Sequence, residues 1–544
     1  MKSFLLLLIL PSLSLAALPA TAVINIRPGA TAGNLNGGGF NSARSGTDYS
    51  LQDAAQLHGT DGTSTASTTF NSVAGTFTDA MKGNYLHLIS ATGADEVVGW
   101  YEIVSVTDAN NVVLDRTSGT YTVGDFYVGG AVSLETTGAA GDDDLFEIAV
   151  TGNTFAIQSG TYTMGEVVAI SVVGGPTSPI IIRGYTTTPG DACAGTSRPL
   201  LDCAANGFTL GTAWDVYNVR WSITTSTGFN SGAGSKIINC KGVNPSTTAG
   251  RPATTLNSDS VYLNSEFVSY RGNGIVTSTL IGGVINCWIH DCDVGFNTGA
   301  TGDGIVLQGN IIESCVTAAV RFTGGMTGAT LIHGNTLFGS VNTTGIGISL
   351  ATGCTDIRVM NNNITGFATG VSHADANTIG YDDFNNYQNN DADVNNAANW
   401  QKGANDSAVA PSFTSVGQVT GATATTGASN TLTQSGATFQ TSGVTAGRDY
   451  IYIVSGTGVT AGIYGILSVD SETQLTTDIT LAADATADKV FQITTGHNFA
   501  VGAALKALAG PGAFQGGYST SYTDPGAVQR QESGGGQTSS ASVK

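Results

Sequence analysis

Apolar residues along the middle of this chain come in short runs, and each run breaks at an asparagine before a similar run begins. "LQGNIIESC" at 307–315 returns as "IHGNTLFGS" at 332–340 and as "NNNITGFA" at 361–368. Each copy has an asparagine, an apolar residue within two places, and a small residue five places on (Cys315, Ser340, Ala368). "NCWIHDC" (286–292), "NSEFVSY" (264–270) and "NCKGV" (239–243) fit the same frame less closely, giving a mean period of about 25 residues from Asn239 to Asn363. A second mark runs in phase: "NGIV" (273–276), "VGF" (294–296), "AAVRF" (318–322), "TGIGI" (344–348) and "TGVS" (369–372) each place a small residue before an apolar one. Such a period, rich in Val, Ile, Thr, Gly and Asn and poor in helix formers, predicts a β-solenoid. The dense leucine frame of a leucine-rich repeat is absent. Asparagine tolerates the left-handed backbone of a sharp turn, and stacked amides can bond from coil to coil at the ~4.8 Å strand spacing. Asn310, Asn335 and Asn363 are therefore expected to stack at one turn.

A different pattern flanks the coils. Strict alternation in "YLHLI" (85–89) and in "YIYIV" (450–454) predicts half-buried strands. The segments around them align, 75–106 with 437–469, matching Phe77 to Phe439, Tyr85 to Tyr450 and Tyr101 to Tyr464. One small β module thus occurs twice. The predicted organisation is a secretory leader at 1–22, an extended or irregular arm at 23–66, and the first module at 67–135. A solenoid follows at 143–400, then the second module at 415–495, a closing segment at 496–531 and a disordered tail at 532–544. The Asn/Asp-rich stretch 381–403 is expected to close the open end of the stack.

Composition narrows the partners. The chain has 544 residues and a net charge of −20, with only 20 Lys plus Arg. That excludes a nucleic-acid role, which needs a basic face. Acidic polysaccharide would also be repelled unless local arginine or a bound cation intervened. The leader has an apolar run and an Ala20-Thr21-Ala22 cleavage pattern, so the protein is expected to be secreted, with no membrane span after cleavage. Cys193 and Cys203 bracket a loop they could close as a disulfide in an oxidising compartment; Cys292 and Cys315 fall at equivalent places in adjacent coils and either bridge or stack. No cysteine spacing suggests zinc.

"SGTYTM", "IIIRGYTTTPGD" followed by "RPLLDC", and the Asn-marked coils together resemble right-handed parallel β-helix proteins of the pectate-lyase-like superfamily. "DPGAVQRQ" (524–531) resembles the ending of uncharacterised bacterial and viral β-helix proteins, and the flanking modules resemble those of phage and environmental structural proteins. The resemblance implies an all-β chain: a right-handed parallel β-helix flanked by two homologous small β modules. It implies no single activity, because this fold carries lyases, hydrolases, tailspikes, adhesins and inert fibres.

The chemistry such relatives use needs carboxylates with a basic residue, or carboxylates holding calcium. The hydrolase motif set is missing, and "DDD" (142–144) and "DDF" (382–384) fall at the ends of the stack, where a solvated cap is the simpler reading. One constellation stands out. If Cys292 stacks on Cys315, His290 falls over Glu313, with Asp291 and Asp293 beside it and Arg321 in a following stretch. His290, Glu313, Asp291 and Arg321 are the catalytic candidates. Asp291, Asp293 and Glu313 are the metal candidates, with calcium the ion they would hold; no other cofactor is called for. The bland alternative is a solvated polar ladder on the outer face. Trp288, Tyr262, Tyr270 and Phe296 are candidate sugar platforms, although some must be core. The expected function is a secreted or surface-exposed structural and binding protein, a rigid rod contacting glycans or a cell or particle surface. The alternatives are a polysaccharide lyase or glycoside hydrolase with a divergent site, and a virion tail or fibre appendage.

Overall fold

The structure, a computed structural model, describes residues 18–499 together with 518–519 and 529–530, except for residues 20, 32–34, 135–141, 166, 192, 278–281, 300–303, 340–344, 375–377, 396–399, 414 and 428–429. The expected leader up to residue 17, most of the closing segment and the whole tail lie outside the described residues. The described chain is nearly all β, with about ten turns of β-solenoid in all. It divides into two compact units: residues up to Glu166 with Ile170–Ala192, and Val167–Ala169 with everything from Cys193 onward. Among the described residues no helix is long and apolar enough to cross a membrane.

In the first unit the arm expected to be irregular begins with a strand. Val23–Ile26 pairs in parallel with Thr154–Ile157, and Thr154–Gln158 pairs in turn with Ile181–Tyr185. Alternation explains this, since Ile24 and Ile26 are both fully buried. Leu18 and Ala22, placed in the expected leader, also pack here: the Leu18 N–H donates to the Ile148 carbonyl, and the Ala22 carbonyl accepts from Thr154. The module starts ten residues earlier than expected. Its strands lie in the order Leu57–Gly59, Thr120–Val128, Tyr85–Gly93, Gly99–Asp108, Asn111–Leu114, Thr69–Asn71. The glycine run of the arm has a steric reason: a Cβ on Gly39 would sit 2.1 Å from the Tyr85 ring.

In the second unit, parallel strands repeat coil after coil. One inward column reads Ile237, Tyr262, Val284, Leu307, Ile332, Val359, and all six side chains are fully buried. A second column, Ile275, Phe296, Val320, Ile348, Val371, contains the apolar residues of the second sequence mark. The small residue before each is required by space, because a Cβ on Gly274 or Gly295 would lie within 2.5 Å of the methyl groups of Ile289 or Ile312. The 166 residues from Tyr217 to Asp383 make seven turns, a mean of about 24. The Asn/Asp-rich stretch after 380 retains the pairing, with Gly380–Asp382 in register with Trp400–Lys402.

The asparagines occupy two adjacent columns, which the sequence frame merged into one. The left-handed position of each turn is held by Asn239, Asn264, Asn286, Gly309, Gly334 and Asn361, with φ between 49° and 67°. The next position carries the ladder. Asn310 Nδ2 donates to Asn335 Oδ1 at 2.9 Å, Asn335 Nδ2 to Asn362 Oδ1 at 2.9 Å, and Asn362 Nδ2 to Asn385 Oδ1 at 3.0 Å. Each Oδ1 also accepts the backbone N–H of the coil before, as Asn310 does for Cys287 at 2.9 Å. Asn363 is therefore not the third member of the ladder. It is in register with Thr336 and accepts instead from Asn386 Nδ2 at 2.9 Å. Three consecutive asparagines at 361–363 made the frame ambiguous by one place.

The second module closes into a barrel: Ser415–Thr426, Thr431–Thr433, Gln474–Thr477, Gly462–Val469, Tyr450–Ser455, Asp484–Asn498, and back to the first. Matching strand for strand along the aligned segments, this is the order of the first module. Local detail repeats as well. Tyr101 Oη donates to the carbonyl of Val97 and Tyr464 Oη to that of Thr460, four residues back in both. Likewise Asp115 accepts the Glu102 N–H, and Asp478 accepts the Gly465 N–H.

The disulfide that Cys193 and Cys203 could close is not formed. Both thiols are buried and point to different carbonyls, Cys193 to Asn218 and Cys203 to Leu201. Cys292 and Cys315 stack in register without bridging, each thiol donating to a carbonyl of its own strand.

Asn362→Ala is expected to lower stability by about 2–4 kcal/mol, because it strips the acceptor from two Asn335 donors and the donor from the Ile332 carbonyl. Asn363→Ala loses one side-chain acceptor contact and should cost about 1 kcal/mol. Chemical denaturation of the two variants measures the difference, and equal losses would contradict the ladder assignment.

Candidate functional site

The strands Trp288–Thr298 and Ile311–Phe322 place His290 beside Glu313 and Cys292 beside Cys315, the register the spacing implied. Ile289 and Ile312 point inward and are fully buried, which turns His290 and Glu313 outward. They are nevertheless 0% exposed, because the barrel sits over them. The expected solvated ladder is thus corrected to a buried seam between coil stack and barrel. The candidate sugar platforms are likewise covered. Tyr262 and Phe296 are coil interior, and Tyr270 and Trp288 lie in the seam with Tyr450, Ile463 and Phe499.

His290 and Glu313 do not bond each other; each is engaged elsewhere. His290 Nδ1 lies 2.7 Å from Asp291 and Nε2 lies 3.1 Å from Glu266, while its ring stacks on Trp288 at 3.7 Å. Glu313 accepts from Trp288 Nε1 at 3.0 Å and from His497 Nδ1 at 2.6 Å. His497 reaches Asp449 through Nε2 at 3.1 Å, and Arg448 binds the same carboxylate at 2.7 Å. Lys241 holds Glu266 at 2.8 Å. Four carboxylates thus meet four cationic side chains, five of the eight residues coming from the coils and three from the barrel module.

Charge balance decides the protonation states. Burial opposes ionisation of His497, but Glu313 and Asp449 hold its proton and raise it to about 10. Burial opposes the charge of His290 too, and Asp291 and Glu266 outweigh it, so its pKa is also raised. Glu266 is driven down to about 2: burial raises it, and Lys241 and His290 more than reverse that. Glu313 and Asp449 are lowered by the same opposition of burial and cationic partners. His497 is thus held as an imidazolium between two carboxylates, and His290, its pKa raised, lies beside an Asp291 whose own pKa burial raises, so the cluster is a buried ionic joint.

Sequence reasoning missed His497, Asp449, Arg448, Glu266 and Lys241. Two signals bore on them. Aligning "NSEFVSY" under "NCWIHDC" puts Glu266 beneath Trp288, and aligning the modules puts Asp449 where the first copy has the neutral Asn84. The remaining candidates do not converge on the seam's centre. Asp293 accepts from Thr317, and Arg321 donates to Asn297 at 3.0 Å. Among the described residues no group of three or more His, Cys, Asp or Glu side chains is placed to hold a metal ion. The side chains of Asp142–Asp144 lie outside the described ones.

Asp382 was expected in a solvated cap and is instead buried in the last coils, accepting from Tyr387 Oη at 2.9 Å and Trp400 Nε1 at 3.1 Å. Burial raises both Asp382 and the nearby Asp406, the latter to about 6. Asp406 Oδ1 also ends the ladder, accepting the Asn385 N–H at 2.9 Å.

No family model and no curated protein matches this chain. Several solved structures are similar to it. A structure titled pectate lyase Pel9A aligns over 49% of this chain and 75% of its own, at 14% identity and a TM-score of 0.35. A GH87 α-1,3-glucanase catalytic unit from Streptomyces thermodiastaticus aligns over 56% and 75%, at 13% identity and 0.31. The tailspike gp49 of Pseudomonas phage LKA1 aligns over 80% and 81%, at 12% identity and 0.19.

His497→Ala is expected to cost about 3–5 kcal/mol, since it leaves Glu313 and Asp449 buried without their shared partner. The raised pKa of His497 adds a pH signature. Its stabilisation is complete below pH 6.5 and is lost as pH rises through about 10, so the unfolding midpoint of the parent protein should fall across that window. A slope between pH 7 and 10 that survives in His497→Ala would contradict this. Asp406 has the opposite consequence. Between pH 4 and about 6 the folded chain holds a proton that the unfolded chain releases, so stability falls as pH rises. Asp406→Asn keeps the ladder acceptor and removes the charge, and should stabilise at pH 7 by on the order of 1 kcal/mol. The gain should vanish by pH 4 in parallel denaturation curves.

Proposed function

We propose that this chain is a secreted or surface-exposed structural and binding protein, a stiff parallel coil stack that carries its modules and contacts glycans. One observation supports this reading above the others: His290 and Glu313, the constellation best suited to chemistry, are sealed beneath the barrel at 0% exposure. A general acid or base must come within hydrogen-bond reach of its substrate, and a polymer has no path to these two. The barrel is held by a joint whose breakage leaves charges buried, which suits a part that positions a surface. The alternation of inward and outward residues over successive coils gives that surface a regular grid, at a spacing of ~4.8 Å, on which a repeating polymer can lie.

The test is a panel of polysaccharides applied to the full-length protein, reading retention together with release of reducing or unsaturated ends. Retention of at least one glycan without release is expected. Release of ends would establish a lyase or hydrolase in its place, and failure to retain any glycan would overturn the glycan-contact reading.

A further inference from the structure

At one margin of the seam, toward the earlier coils, a cleft of about 330 Å³ opens between coil stack and barrel. That volume is at the small end of ligand sites. Its coil side is built from outward residues of two successive turns, Arg220 in register with Lys241 and Ser222 with Val243, and a loop adds Thr196. The barrel contributes Tyr450 and Asp478.

Three features of this cleft bear on a ligand. The first is charge. In a protein of net charge −20, two cations stand one strand spacing apart on the cleft wall. Among the described residues the Arg220 guanidinium bonds carbonyls, those of Arg198 and Thr196, each at 3.0 Å, and no carboxylate forms an ion pair with it. Lys241 does have a carboxylate, but Glu266 divides its charge between Lys241 and His290. The second is Tyr450. Its ring is packed at 6% exposure, and the residue lines the cleft. A phenol at the edge of a cleft offers a polar hydroxyl on an apolar ring. The third is the hydroxyl supply of Ser222 and Thr196, which suits a polyol.

We propose that this cleft binds a saccharide unit bearing a carboxylate, with Arg220 and Lys241 receiving the carboxylate and the Tyr450 hydroxyl bonding the sugar. The guanidinium fork matches a carboxylate in geometry, and the half-buried setting strengthens the pair over its worth in open water. The repulsion expected between an acidic glycan and an acidic chain is thereby offset at one place, chiefly by Arg220, with Lys241 beside it. This inference rests on the glycan-binding reading and specifies its ligand class.

Calorimetric titration of the full-length protein with a glucuronate-containing tetrasaccharide, its carboxyl-reduced counterpart and acetate tests it. The acidic tetrasaccharide should bind at least tenfold more tightly than either control. Arg220→Gln should lower its affinity at least tenfold. Tyr450→Phe, which keeps the packed ring, should lower it severalfold with an unchanged thermal midpoint. Equal binding of the reduced glycan would overturn the role of the carboxylate, and equal binding of acetate would overturn that of the sugar. Tight binding indifferent to both substitutions would overturn the cleft as the site while leaving glycan binding intact. No binding of the acidic glycan, alongside retention of a neutral one in the panel, would overturn the ligand class alone.

Discussion

Each coil must come back to the same lateral position one strand spacing away, and most other features of this protein follow from that constraint. Parallel pairing requires it, because a backbone that returned out of register would leave N–H and C=O groups unpaired along the whole turn. The chain satisfies it with a left-handed residue at the same corner of successive coils, at Asn239, Asn264, Asn286, Gly309, Gly334 and Asn361. Fixing that residue fixes the one after it, and the buried amides at 310, 335, 362 and 385 then satisfy backbone donors that the corner exposes. Registration also sorts side chains into columns. Outward columns bring Lys241, Glu266 and Trp288 into line, and His290 beside Glu313, without any of them being near in sequence.

The barrel exploits that alignment. Its contact with the coils combines an apolar part, Tyr450 and Ile463 against Val268 and Tyr270, with the ionic joint of His497, Glu313, His290 and Glu266. Burying so many charges costs heavily unless every one is matched. The arrangement matches them by chaining: each imidazole touches two carboxylates, and Asp449 and Glu266 are each finished by a basic residue outside the chain's centre. Apolar area alone would tolerate sliding along a repetitive stack, where one coil resembles the next. Among the described residues the ionic pattern occurs once, so it selects a single seat.

Much of the architecture could be read from the sequence because it is periodic. The Asn frame, the small-then-apolar mark and the matched Phe, Tyr and Tyr of the two modules each repeat, and repetition exposes a packing rule. The one-place error at Asn363 arose where three asparagines adjoin, so composition could not say which one turned the corner. The site was less legible. Its geometry on the coil was right, with His290 stacked beside Glu313, but whether an outward residue meets water depends on what covers it. That cover comes from His497 and Asp449, 184 and 136 residues from Glu313, and no period links them. The exposed-aromatic reading failed for the same reason, and Cys193 and Cys203 failed because nearness in sequence says nothing of where two thiols point.

The seven thiols are all buried, unbridged and spread over the coils from Cys193 to Cys354. The fold therefore owes nothing to covalent cross-links, and the reducing strength of its surroundings should leave it unchanged. A stack bonded mainly from neighbour to neighbour can also open in one stretch while the rest stays closed. Each thiol is shielded only while its own turn is shut, so alkylation at a given cysteine dates the opening of that turn. The chain carries, in effect, its own set of position-resolved clocks for local melting.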